Sequence, residues 1–414
     1  MCRALKYNVP KLRFKEFSGK WEEKQITEIA FDEKSAVKIG PFGSQLKKEY
    51  LIEEGPYKVY GQENVFKNDF SQGNRFINED RYLVLKSSEL VAGDIVISMM
   101  GTIGKISEVP NGIQKGIMDS HLIRIRLDNT KYLNEFFTQV MNSRNVKKQI
   151  MSLSVGSIMS GLSSKIIKSL IFPMTSVDEQ EKISTFLISL DKKIQLQQEK
   201  IDLLQEQKKG YMQKIFKREI RFKDDDGKDY PKWHINVRME TLFKSISNKK
   251  NNGDEPVLSA TQDRGMVYRD TLERHMAFAK ENLKSYKLVE VGDFVISLRS
   301  FQGGIEYSQL QGLVSPAYTV FRKVSEDVDE EFFAELFKTT TFIQRLNSTT
   351  YGIRDGKAIS YSDFSTLRFD LPCIEEQRKI AKFISILDKK IDIEQQKLEA
   401  LQQQKKGFMQ QMFI

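Results

Sequence analysis

The 414-residue chain is poor in the residues on which small scaffolds and many active sites depend. It has two cysteines, Cys2 and Cys373, at opposite ends of the sequence, and three scattered histidines, His121, His234 and His275. That excludes a disulfide framework and a Cys-x-x-Cys metal site, and it fits a reducing, cytoplasmic setting. No two of the nine prolines are adjacent, so the Asn/Asp-Pro-Pro-aromatic loop with which adenine amino-methyltransferases hold their target amine is missing. The nearest approach to a phosphate-binding loop is Gly101-Thr102-Ile103-Gly104-Lys105-Ile106. It is too short for GxxxxGK[ST] and lacks the hydroxyl that holds magnesium. Carboxylates are plentiful, but no Pro-Asp dipeptide anchors the usual nuclease pattern. No stretch approaches the roughly 18 to 20 uncharged apolar residues of a membrane span, and MCRALKYNVPKLRF has no signal-peptide core. Catalysis, cofactor binding and metal binding are therefore not expected on this chain.

What is present is charge, length and repetition. Lys plus Arg number 65 against 56 Asp plus Glu, a formal net charge of +9, which makes an acidic partner plausible without naming it. The length suits two to three domains with substantial cores. SLDKKIQLQQEKIDLLQEQKKGYMQKIF, from Ser189 to Phe216, returns as ILDKKIDIEQQKLEALQQQKKGFMQQMF, from Ile386 to Phe413. Stepping by alternate fours and threes gives Ile183, Leu187, Leu190, Ile194, Gln197, Ile201, Leu204, Lys208, Tyr211 and Ile215. The copy gives Ile380, Ile384, Leu387, Ile391, Glu394, Leu398, Leu401, Lys405, Phe408 and Met412. Each is a heptad seam with two polar interruptions at matching places, which either fix register or mark fraying. A helix of about 38 residues, roughly 57 Å long, is expected at each site. Gly210 and Gly407 are expected to weaken or bend it. Two such stripes in one chain most simply bury each other.

The stretches before the helices echo one another as well. Gly93-Asp94-Ile95-Val96-Ile97-Ser98 matches Gly292-Asp293-Phe294-Val295-Ile296-Ser297, a turn followed by a strand. Helical patches follow at Tyr132 to Ile150 and Glu330 to Leu346, each with a Phe-Phe pair. Then come strands leading into Pro173 and Pro372, and Glu179-Gln180 or Glu376-Gln377 at the start of each long helix. TQDRGMVYRD, from Thr261 to Asp270, has no convincing counterpart in the first half. The expected organisation is a head at 1–172, a helix at 173–220, a second head at 221–371 and a second helix at 372–414.

These features resemble the DNA specificity subunits of type I restriction-modification enzymes. The resemblance is carried by VPKLRFKEFSGKWEEKQITEIA, IGPFGSQLKKEY, the proline-to-Glu-Gln step and the LDKKI…LQ…QKKGFMQ pattern at both helices. It spans essentially the whole chain except the opening MCRALKYN. It implies an α+β protein with a pseudo-twofold internal repeat, in which two α/β target-recognition domains are joined by two long helices pairing as an antiparallel coiled coil. Each domain would contact one half of a split double-stranded DNA site, while the helices set the gap and dock two modification (methyltransferase) subunits. It also implies no cofactor on this chain. S-adenosylmethionine, ATP and Mg are expected on partner subunits, the modification subunits and the restriction (translocase/nuclease) subunits.

Base reading needs Arg, Asn and Gln at groove edges, while Lys, Ser and backbone amides hold phosphates. In the first head the candidates are Ser44, Gln45, Lys47, Lys48, Gln62, Asn64 and Lys105. In the second they are Gln262, Arg264, Arg269, Arg299, Gln302, Tyr351, Arg354 and Lys357. Arg264, Arg299 and Arg354 are the leading candidates for base contact, because a guanidinium grips guanine O6 and N7 together. The competing expectations are a coiled-coil adaptor whose heads do not bind DNA and, least supported, a stand-alone nuclease.

Overall fold

The structure, a computed structural model, describes residues 9–100, 104–154, 162–261, 264–272, 280–297, 304–349 and 359–413. The chain forms two compact units, one of residues up to Gln198 together with those from Gln396 onward, the other of Glu199–Gln395. Each long helix is thus shared between the two units, whereas the sequence suggested helices as segments separate from the heads. Among the described residues no helix is long and apolar enough to cross a membrane.

Each unit is built on the same four-stranded antiparallel sheet. In the first the strand order is Val37–Ile39, Leu122–Ile125, Ile95–Ser98, Ile106–Glu108. In the second it is Phe243–Ile246, Thr319–Lys323, Phe294–Ile296, Ile305–Tyr307. Strand alternation sorts the side chains. Ile95, Ile97, Ile123 and Ile125 enter one core of the first unit, while Val96 and Leu122 enter another on the opposite face. Phe294, Ile296 and Phe321 divide from Val295 and Val320 in the same way in the second. Both faces are covered, which is why these strands read as continuous apolar runs.

The Gly-Asp turns explain themselves. Gly93 and Gly292 have φ of +83° and +99°, a left-handed conformation that glycine adopts without a Cβ clash. The following aspartates are buried. Asp94 accepts the Val91 N–H at 2.9 Å and Arg126 at 2.5 and 3.1 Å. Asp293 accepts the Glu290 N–H at 2.8 Å and Arg322 at 2.6 and 3.0 Å. Each carboxylate therefore ties the turn to the neighbouring strand by charge-assisted bonds.

The helical patches are broken once in each unit, contrary to the single run expected from sequence. Asn134–Asn142 gives way to Arg144–Ser154, and Glu330–Leu336 to Thr340–Thr349. The cause is a hydroxyl at each junction. Ser143 Oγ accepts from the Val146 N–H at 3.3 Å, and Thr339 Oγ1 from the Phe342 N–H at 3.2 Å, starting a new helix. The Phe-Phe pairs are fully buried.

The long helices run from Val177 to Phe216 and from Ile374 to Met412, uninterrupted at Gly210 and Gly407. Within the first unit Phe186 meets Phe408 with ring centroids 5.0 Å apart, and Lys405 reaches Asp191 at 2.5 Å. Within the second, Lys200 reaches Glu394 at 3.0 Å, Lys208 reaches Asp388 at 2.7 Å, and Tyr211 meets Phe383 at 5.4 Å. Numbers rise along one helix as they fall along the other, so the pairing is antiparallel. Ile183, Leu187, Leu190, Ile201, Leu204, Ile215, Ile380, Ile384, Leu398 and Met412 are buried. Ile194, Leu387, Ile391, Leu401 and Phe408 are half-buried. Tyr211 is 41% exposed yet still meets Phe383 of the other helix, with the rings perpendicular. Three polar interruptions, Lys208, Glu394 and Lys405, are ion-paired across the helices, so they fix register instead of marking frayed ends.

The step into each long helix is a clamp. Glu179 and Glu376 are fully buried. Glu179 takes Arg13 through two bonds of 2.7 Å, and Glu376 takes Arg221 at 3.2 and 2.6 Å. Gln180 accepts the Leu133 N–H and donates to the Lys131 and Thr175 carbonyls. Gln377 accepts the Asp329 N–H and donates to the Asp327 and Pro372 carbonyls. The glutamate at the start of each long helix is thus the buried partner of a distant arginine.

Candidate nucleic-acid interface

The heads differ where the chain leaves one particular pairing. Tyr57–Tyr60 runs parallel to Gly116–Met118, and in the second unit Val257 bridges Leu313 in the same parallel sense. Gly116 and Gly312 lead the partner strands for one reason, the closeness of the opposite backbone. A Cβ would lie 2.0 Å from the Lys58 carbonyl oxygen at Gly116, and 2.4 Å from that of Pro256 at Gly312. Beyond this point the first unit turns into the helix Gln62–Lys67, whereas the second forms the hairpin Leu258–Thr261 with Gly265–Tyr268. TQDRGMVYRD therefore has a counterpart by position, the segment from Gln62 onward, although the two share no sequence.

In the first head two candidate loops are held by arginines. Gly40 packs so closely on Asp119 that a Cβ would fall 1.8 Å from its carbonyl oxygen, and Gly43 has φ of +47°. The turn between them delivers Ser44, Gln45, Lys47 and Lys48 as exposed side chains. Arg81 donates to the Ser44 and Gln45 carbonyls and lies 4.1 Å over the Tyr50 ring. Lys47 pairs with Glu49 at 3.4 Å. At the second loop Asp119 accepts Arg75 at 3.0 Å and the His121 N–H at 2.9 Å, and Arg75 reaches Glu63 at 2.7 Å. Gly61 leaves room for this set, because a Cβ there would lie 2.1 Å from the Arg75 guanidinium.

Gln62 is half-buried beside this cluster. Asn64 corrects the sequence expectation, being 1% exposed. Its Oδ1 accepts the Gly61 N–H at 2.9 Å, and its Nδ2 donates to the Asp69 and Gln72 carbonyls at 3.0 and 2.9 Å. It shapes the loop and offers no group to a partner. Lys105 is exposed, with its backbone N–H on Ser98 Oγ at 3.1 Å. It lines a cavity of about 430 Å³ with Val65 and Asn68, which places it at the helix Gln62–Lys67.

In the second head, Gln262, Arg299, Gln302, Tyr351, Arg354 and Lys357 lie outside the described residues, as do 1–8, His275 and most of the glycine-containing loops around 101–103 and 300–303. Arg264 is exposed at the hairpin turn and lines a cavity of about 530 Å³ with Glu306, Glu331, Glu335 and Lys338. Burial pushes the Glu306 carboxyl up to about 7. Arg269 is half-buried and donates to Ser259 Oγ at 3.1 Å. Among the described residues there is no group of three His, Cys, Asp or Glu side chains placed to hold a metal.

Sequence reasoning missed Arg75, Arg81, Asp119 and His121, because they act on the loops from distant positions. It also missed the Arg13 and Arg221 clamps. A signal for these was present in Arg13-Phe14-Lys15 with Trp21, repeated as Arg221-Phe222-Lys223 with Trp233.

A family model for the type I restriction modification DNA specificity domain matches residues 19–206 and again 234–403. Two proteins of Methanocaldococcus jannaschii, named for the MjaX and MjaVIII type I restriction enzyme specificity subunits, are similar to this chain. They are 24% identical over 341 residues and 23% over 353, covering 77% and 80% of this chain and the same shares of the relatives. The solved S subunit of a type I restriction-modification system from M. genitalium superposes with a TM-score of 0.55 at 16% identity, over 98% of this chain and 99% of that one. A chain solved in connection with complex assembly and conformational transition of the type I R-M system gives 0.57 at 14% identity, over 95% and 97%. At these identities the structures show likeness of fold, and the doubled family match adds the function. With both halves matched, the chain belongs to the family of type I restriction-modification DNA specificity subunits.

Proposed function

We propose that this chain reads a bipartite double-stranded DNA site, one half with each head, and carries out no chemistry itself. The observation that supports the reading best is a repeated frame with unlike loops. The two units share their sheet order, Gly-Asp pins and Glu-Gln clamps, and they diverge at the helix Gln62–Lys67 and the hairpin ending at Tyr268. Like scaffolds bearing unlike readers suit two unlike half-sites. In this reading the antiparallel helices set the gap and dock two modification subunits, and restriction subunits join that complex in the cytoplasm. S-adenosylmethionine, ATP and Mg belong to those partners. Ser44, Gln45, Lys47, Lys48, Gln62 and Lys105 in the first head, and Arg264 and Arg269 in the second, are the proposed contacts among the described residues, with Asp119 and Arg75 as positioning groups.

The experiment is methylome sequencing of a host expressing this chain with its cognate modification subunit. The expected result is adenine methylation at one split sequence, with none when the chain is expressed alone. Methyl transfer by the purified chain would contradict the noncatalytic assignment. Absent or sequence-independent binding of random duplex pools in the presence of the partner, at stated salt, would favour an adaptor.

A further inference from the structure

The two units share a backbone where head meets long helix, but they carry different charge there. In the first unit the Ser98 N–H donates to the Lys105 carbonyl at 2.9 Å, and the matching bond in the second runs from Ser297 to Gly304 at 2.8 Å. Ser143 and Thr339 open the matching helices by their hydroxyls. Counting from these caps, Arg144, Lys147 and Lys148 fall where the second unit has Thr340, Ile343 and Gln344. Lys338 and Arg345 of the second unit fall where the first has Asn142 and Gln149, but Lys338 pairs with Glu335 at 3.5 Å and Arg345 donates to the Arg368 carbonyl at 2.9 Å. Asp191 holds Lys405 as Asp388 holds Lys208. Lys208, however, has a second carboxylate, Glu335, at 3.2 Å. The first unit places neutral Gln139 at that position, and it donates to Asp191 at 3.4 Å.

These groups are contiguous. Lys105 and Gln139 line the same cavity of about 430 Å³, and Gln139 bonds the aspartate that carries Lys405. The carboxylates of this cavity are Glu108, which accepts from Asn134 Nδ2 at 3.0 Å, and Glu135. Although its side chain reaches solvent, the Lys147 ammonium is held below its ordinary value by partial desolvation and then by repulsion from Lys105 and Lys405, so the three cations lie within electrostatic reach. Lys105, Arg144, Lys147 and Lys148 are exposed. Gathering like charges costs free energy, and a polyanion laid across them recovers it.

We propose that this junction of the first unit, Lys105 with Arg144, Lys147, Lys148 and Lys405, is a phosphate-holding surface for duplex DNA, with its three helix cations replaced by Thr340, Ile343 and Gln344 in the second unit. The inference rests on the DNA-reading function and deepens it. Such a surface orients the duplex and adds affinity without reading bases. DNA binding is then electrostatically lopsided, with the first head supplying more of the salt-dependent affinity.

The test uses the complex of this chain with its modification subunit and a duplex bearing the methylated site, titrated across a salt series. The variant Lys105→Gln, Arg144→Gln, Lys147→Gln is expected to bind more weakly on every duplex. Its log K against log salt is expected to be shallower by about 2 to 3, at roughly 0.9 per phosphate contact, with the methylated sequence unchanged. Lys105→Arg with Lys147→Arg is expected to keep the parent slope, as is Lys209→Gln with Lys338→Gln in the second unit. A triple glutamine variant with the parent slope overturns the proposal. So does an unchanged slope with loss of the modification subunit on co-purification, which would make the patch a protein-docking surface. A parent complex that binds no duplex would sink the DNA-reading function itself.

Discussion

The core of the second unit is built around Phe243, whose ring lies 5.0 to 5.9 Å from those of Phe294, Phe321, Phe333, Phe337 and Phe364. At the corresponding places the first unit has Ala30, Ile95, Ile125, Phe137, Met141 and Ile167, all packed in or against one core. The correspondence follows from matched strand pairs, Ile95 with Ile125 and Phe294 with Phe321, and from matched helix caps at Ser163 and Ser360. At these six places the first core is mainly aliphatic and the second wholly aromatic, yet the sheet order is the same. The polar frame, by contrast, is repeated nearly atom for atom. Apolar fillers are exchangeable when their surroundings repack with them, whereas a buried carboxylate has few geometries that satisfy it. The frame therefore persists while the filling drifts.

The largest effect expected from testing this comparison is at the clamps. Glu179→Ala and Glu376→Ala each leave a part-buried arginine without its carboxylate, and each is expected to cost about 3 to 5 kcal/mol in urea unfolding. The comparison breaks if the two costs differ by more than about 2 kcal/mol. Next come the fillers. Phe243→Ala should destabilise the second unit by about 3 to 5 kcal/mol. Its mirror change, Ala30→Phe, should cost a smaller ~1 to 3 kcal/mol by overpacking. A neutral Phe243→Ala would show that the aromatic cluster does not hold that core.

A third test uses a site where the frames differ in charge. Glu306, with its carboxyl raised to about 7, stands where the first unit has Ser107, judged by their partners Val295 and Val96. A carboxyl raised in the folded state contributes stability that is fully present below its unfolded value near 4.5 and is lost as pH rises to about 7. Glu306→Gln is accordingly expected to raise the melting temperature at pH 8 relative to the parent and to leave it unchanged at pH 4. A pH-independent difference would dissociate Glu306 from this titration. The smallest effect is at the helix glycines. A Cβ at Gly210 or Gly407 meets nothing within 4 Å, so Gly→Ala at either should stabilise by about 0.5 to 1 kcal/mol, equally in the two copies.

Much of the scaffold was legible because its signals are local. The heptad stripes, the Gly-Asp turns, the Phe-Phe pairs and the Glu-Gln steps all stand within a few residues of the structure they specify. What was not legible lay in partners far along the chain. Trp233 donates to Glu376 at 3.1 Å, whereas Trp21 Nε1 has no acceptor among the described residues, the equivalent oxygen of Glu179 being taken by Thr175. A threonine at a strand exit carries no such meaning in sequence. Asn64 was misjudged for a related reason. Its residue type suits a reading loop, but the loop turns back and consumes its amide in backbone bonds.

By itself the amino-acid order determined the repeat, the helix period, the turns that need glycine and the excess of positive charge, since each depends on residue type and short spacing. Only the tertiary structure decided which carboxylates are buried with which arginines, that Lys208 and Lys405 bind across the helices, and that unlike loops leave the two heads at the same place. Those outcomes depend on which distant segments share a dry contact, and burial changes what a charge or an amide costs far more than its position in the sequence does.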